Sequence, residues 1–98
     1  MNMQAMLKQA QQMQKEMMKA KQEIDEKEFT RENEAVSLKM TGNKRIIDFK
    51  IRLSEVGNDD REMIEDMTLI AVNQIIEEIE KETEEKLGQY TKGMPGAF

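Results

Sequence analysis

The sequence predicts an α+β domain in which a helix, a three-stranded antiparallel meander and a long second helix follow one another. Three observations predict it. Apolar residues recur at helical spacing as far as Ile24, alternate with polar residues from Val36 to Leu53, and return to helical spacing beyond Gly57. A chain of 98 residues has room for one hydrophobic core. A single domain is therefore expected over residues 1–87, followed by a flexible tail at 88–98 that contains Gly93, Pro95 and Gly96.

The first helix is expected from about Asn2 to Asp25. Met3, Met6, Ala10, Met13, Met17, Ala20 and Ile24 are spaced alternately three and four apart, the seam of a helix that packs on another helix, and Leu7 widens it. The intervening Gln and Lys residues are good helix formers. A three-heptad stripe rich in Met specifies register poorly, so its partner is expected to be a helix held nearby by the rest of the fold.

From Phe29 the period becomes two. Val36, Leu38 and Met40 alternate with Ser37, Lys39 and Thr41; Ile47, Phe49, Ile51 and Leu53 alternate with Asp48, Lys50 and Arg52. Both runs predict half-buried strands, and Gly42-Asn43 supplies residues that tolerate positive φ at the hairpin between them. A shorter strand around residues 28–31 completes the meander. Its solvent face is expected to carry Lys39, Lys50 and Arg52, with Lys44 and Arg45 near the turn.

Gly57 ends the strand region, and Asp59 with Glu62 has the form of a capping box for the second helix. Leu69, Ile70, Ala71, Val72, Ile75 and Ile76 point in nearly every direction around that helix. One sheet cannot cover them all, and in so small a chain the second cover is most simply another copy, so a homodimer is expected. Its interface is expected to use Met6, Met13, Met17, Ile70, Ile75 and Ile76. Residues 77–86 are strongly acidic, with Glu77–Lys81 and Glu82–Lys86 at pairing distance, and Gly88 is expected to stop the helix.

Composition excludes several chemistries. Neither His nor Cys occurs, which removes imidazole bases, thiolate nucleophiles, disulfides and zinc fingers together. Met3, Met6, Met13 and Met17 offer thioethers at helical spacing, but without Cys or His a packing role is preferred to a soft-metal site. Glu65 and Asp66 could form an acid–base pair, yet no nucleophile or glycine loop accompanies them. No enzyme activity, cofactor, metal or small-molecule substrate is expected. No stretch approaches the roughly 20 apolar residues that span a bilayer, so a cytoplasmic protein without a membrane partner is expected.

The net charge is −5, but residues 58–87 carry −8 of it and the first 57 residues are slightly basic. Lys8, Lys15, Lys19 and Lys21 on the first helix and Lys39, Lys44, Arg45, Lys50 and Arg52 on the sheet form a candidate phosphate-binding set.

Three stretches carry a resemblance. Met6 to Gln14 reads MLKQAQQMQ, Asp59 to Met67 reads DDREMIEDM, and Gly93 to Gly96 reads GMPG. With the central hairpin around Gly42, this order resembles the YbaB/EbfC family of bacterial nucleoid-associated proteins over nearly the whole chain. The resemblance implies an intertwined homodimer whose paired helices project from a sheet platform like tweezers. It also implies binding of double-stranded DNA with weak or no sequence preference, in the nucleoid, to organise the chromosome or regulate expression. The alternative is a protein–protein adaptor whose acidic helix, residues 77–85, docks on a basic partner such as a replication or recombination factor.

Overall fold

The computed structural model describes residues 2–91. Helix α1 spans Met3–Glu26, strands β1, β2 and β3 span Glu28–Glu32, Val36–Thr41 and Ile46–Ile51, and helix α2 spans Arg61–Thr91 after a 3-10 turn at Asn58–Asp60. The architecture is the α+β order that the hydropathy pattern predicts.

Helix α1 starts where the Asn2 side chain accepts the Gln4 N–H at 3.0 Å. It ends at Lys27, whose N–H is shared by the carbonyls of Glu23 and Ile24, both at 3.1 Å, and whose extended backbone leads into β1. The three strands lie in chain order and pair antiparallel. Phe29 faces Met40 across β1 and β2, and Leu38 faces Phe49 across β2 and β3. A bulge sets Ile46 opposite Met40 while Asp48 opposes Lys39, which leaves Ile47 as the extra residue. Asn33 closes the β1–β2 turn: its side-chain oxygen accepts the N–H groups of Ala35 and Val36, and its amide donates to the Met67 carbonyl at 3.0 Å.

The core is a sheet-on-helix layer. Phe29, Val36, Leu38 and Met40 from β1 and β2 pack against Ala71, Ile75 and Ile79, which recur every fourth residue along one face of α2. Strand β2 alternates between buried and half-buried residues as a central strand should. Strand β3 does not. Helix α2 lies across β1 and β2, so all six residues of β3 stay exposed, against the half-buried strand that its alternation predicts.

Helix α1 projects. Residues 2–16 are exposed throughout, and only Met17, Ala20, Ile24 and Asp25 lose surface, near the end of the helix where it meets α2. The molecule is consequently 70 Å long but only 21 Å and 13 Å across.

Three local expectations are revised. The left-handed residue of the β2–β3 turn is Lys44, with φ 66, and neither Gly42 nor Asn43 is left-handed. The Lys44 N–H bonds back to the Thr41 carbonyl at 2.8 Å, and Thr41 and Arg45 are joined across the loop, so the connection is a three-residue loop whose last residue takes the left-handed position. Second, the start of α2 is held by Asp60, whose carboxylate accepts the Gly57 N–H at 2.9 Å, and not by the Asp59–Glu62 pair. Third, α2 runs through Gly88 to Thr91, because a helical glycine costs only about 1 kcal/mol and the preceding Leu87 is fully buried. The rest of the expected tail lies outside the described residues.

Candidate nucleic-acid interface

The expected cationic set divides into groups that the fold already uses and groups that it leaves available. At 100° per residue, Lys8, Lys15 and Lys19 lie within about 40° of one another on α1, on the side opposite Met6, Ala10, Met13 and Met17. Among the described residues none of the three lysines forms an ion pair. They form a row about 16 Å long on the exposed part of the helix.

Lys21 belongs elsewhere. Its phase puts it beside the Met stripe, and its ammonium pairs with Asp25 at 3.0 Å. Lys44 pairs with Glu80 at 3.4 Å, and Lys39 reaches Glu28 at 4.0 Å. The Arg52 guanidinium donates to the Asn33 carbonyl and so helps to close the sheet end. Arg45 and Lys50 are exposed without an ion pair among the described residues, Lys50 in register with Ser37. The available cations are thus the row on the arm and a smaller set on β3 and its turn.

The acidic helix is less available than its composition implies. Glu78 pairs with Arg31 at 3.1 Å, Glu80 with Lys44, and Glu82 with both Lys27 and Lys86. These pairs neutralise part of the acidic stretch of α2 against Lys27, β1 and the β2–β3 turn of the same chain. The hydrogen bond from Lys27 is the main reason that the Glu82 carboxyl lies below its ordinary value, and the Lys86 ammonium adds to it against the cost of desolvation.

The expected dimer residues also separate. Ile75 is fully buried by its own sheet and offers no surface to a second chain. Ile76 is partly covered by the same core, Met17 is half-buried beside α2, and Met6, Met13 and Ile70 are exposed. An uncovered apolar surface lies where a half-buried strand is expected: Ile47, Phe49 and Ile51 on β3, with Ile46 beside them, are between 43% and 52% exposed. Leu69, Val72 and Ile76 follow helical spacing along the flank of α2 that continues to Glu80, the residue paired with the β2–β3 turn. Ile70 falls on the opposite flank. The signal for this surface was present in the sequence, as a third strand apolar at Ile46, Ile47, Phe49 and Ile51 in a chain whose second helix is the main cover for three strands.

The chain therefore combines a basic projecting helix with a short sheet whose outer strand is uncovered. The YbaB/EbfC DNA-binding family matches residues 1–94, which is nearly all of it. The chain belongs to the YbaB/EbfC DNA-binding family. Similar proteins of this family length include a nucleoid-associated protein of Enterococcus faecalis, 48% identical over 97% of this chain and 93% of its own length. A nucleoid-associated protein of Oceanobacillus iheyensis is 43% identical over 99% of this chain and 97% of its own. One from Ligilactobacillus salivarius is 38% identical over 98% and 94%. Family membership gives the basic row its context: the YbaB/EbfC chain carries available lysines on a helix whose first half is exposed throughout. Among the described residues no helix is long and apolar enough to cross a membrane, and no group of three or more Asp or Glu side chains is placed to hold a metal ion.

Proposed function

We propose that the protein binds double-stranded DNA as a homodimer, in the nucleoid, with little sequence preference. The observation that carries this reading is the row of Lys8, Lys15 and Lys19. Three ammonium groups share one face of an exposed helix without a carboxylate partner among the described residues, where phosphates can replace water and release counterions. Such contacts position a protein on the backbone and carry little sequence information. Lys50 and Arg45 extend the surface toward the sheet.

The dimer is supported by the uncovered flank. Strand β3 pairs on one side only, and its four large apolar side chains, like Leu69 on α2, are exposed on a chain too small to cover them. A second copy docked on this flank hides these side chains and sets two basic helices at a fixed separation. This assigns the interface to Ile46, Ile47, Phe49, Ile51, Leu69 and Ile76, and leaves Ile75 to the core.

A gel-shift titration on random and defined duplexes at two salt concentrations tests the reading. Retention of both duplexes at low salt, lost steeply as salt rises, is the expected result. Absence of retention at low salt rejects it.

A further inference from the structure

At the base of the projecting helix the β2–β3 turn presses against the last turn of α1. A Cβ on Gly42 would lie 1.8 Å from the Ile24 carbonyl oxygen and 2.6 Å from its carbon, both backbone atoms that cannot swing aside. The Gly42 N–H donates to the Lys27 carbonyl at 2.9 Å, and the Asn43 N–H donates to the Asp25 carbonyl at 3.3 Å. Gly42 is itself buried. Because its φ lies outside the left-handed region, glycine is required at this position for close approach alone. The hairpin thus supplies two donors to a helix terminus that has leftover carbonyls, at a distance no side chain permits.

We propose that Gly42 is the positioning residue that fixes the direction in which α1 carries Lys8, Lys15 and Lys19, an inference that rests on the DNA-binding reading of that row. The lever is long. Lys8 lies about 24 Å along the helix from Ile24, so a tilt of about 10° at the base displaces it by about 4 Å. Successive phosphates of one strand advance about 3.4 Å along a DNA duplex, so that displacement takes Lys8 past one phosphate position, while Lys15 and Lys19, nearer the base, move by less. The turn that holds Gly42 is tied to α2 as well, through Lys44 and Glu80. The hairpin therefore sets the helix against the body of the molecule.

The absence of cysteine allows clean labelling. Spin labels at Gln11→Cys on α1 and Thr30→Cys on β1, both exposed positions, are measured by pulsed electron paramagnetic resonance, with the labelled chain diluted into excess unlabelled protein. In the Gly42→Ala variant the distance distribution is expected to shift by about 3 Å or to double in width, and duplex affinity at low salt to fall about tenfold. Gly88→Ala, where an added Cβ meets nothing within 4 Å, is expected to leave both unchanged. A folded Gly42→Ala protein with an unmoved distance, or an equal shift in Gly88→Ala, overturns the proposal. A moved distance with unchanged duplex affinity leaves Gly42 as the anchor and removes the DNA role from the helix. Should Gly42→Ala not fold, amide exchange of the unaltered protein decides: the Gly42 and Asn43 N–H groups are expected to be as protected as the β1–β2 ladder, and exchange at the rate of an open turn overturns the inference.

Discussion

Lys27, the first residue after α1, donates a hydrogen bond from its ammonium to Oε1 of Glu82, about two and a half turns before the end of α2. The same ammonium lies 5.1 Å from the centre of the Phe29 ring. One cation therefore joins the exit of the projecting helix, the first strand and the acidic half of α2, and it is the main cause of the lowered Glu82 pKa.

The lowered value fixes the direction of a pH dependence. A carboxyl whose pKa is lower in the folded than in the unfolded chain stabilises the fold above its unfolded value, and that contribution is lost as pH falls through the folded value. Glu82→Gln is expected to cost about 0.5–1 kcal/mol near neutral pH, because the pair is partly exposed. The gap between the two proteins should close below pH 4.5, the ordinary value of this carboxyl. Thermal melts at pH 7 and in acid, at equal protein concentration, measure both.

Charge reversal separates the basic residues by their partners. Lys8→Glu, Lys15→Glu and Lys19→Glu combined should abolish duplex retention at low salt and flatten the dependence of affinity on salt. Lys21→Glu and Lys44→Glu, which act on cations already paired to Asp25 and Glu80, should have smaller effects. Titration of each variant on one duplex across a salt series provides the comparison; equal losses from the paired and unpaired sets would reject the row as the contact surface.

On the sheet, Phe49→Asp and Ile47→Lys place charge on the uncovered flank and are expected to yield a folded single chain in sedimentation at micromolar concentration, where the unaltered protein is expected to sediment as a dimer. Ile75→Ala should behave differently. Its side chain lies wholly within one chain, so the change should cost about 2–5 kcal/mol of stability through the cavity it leaves, with association altered only as far as folding is.

A turn substitution tests the hairpin geometry. Lys44 holds a left-handed conformation that asparagine tolerates better than lysine, and its pair with Glu80 is exposed. Lys44→Asn is expected to raise stability by roughly 0.5 kcal/mol, read as a higher melting temperature. A lower one would show that the ion pair outweighs the backbone strain.

Periodicity carried most of the architecture. The three-and-four spacing to Ile24, the alternation at Val36–Met40 and the run from Leu69 to Ile76 each fall on the element observed, because helix and strand set side-chain direction with different periods along the chain. The failures are equally physical. Gly42 carries no sign of whether it serves a left-handed φ or a close contact, since both require a missing Cβ. Strand β3 alternates as β2 does, and alternation does not reveal which strands the available helix can cover. Among the basic residues, residue type was legible, but Lys21, Lys44 and Arg52 acquire partners from Asp25, Glu80 and the Asn33 carbonyl.

The amino-acid order alone determined the element succession, the helical stripe, the location of the acidity and the family. Those properties are local, or repeat at short range along the chain. Only the folded arrangement decided which lysines keep their charge unpaired, which isoleucines stay in contact with water, and why a glycine stands beside Ile24. Apart from Lys21 and Asp25, four residues apart on one helix, each of those depends on residues distant in the chain meeting in space, and no spacing rule records such meetings.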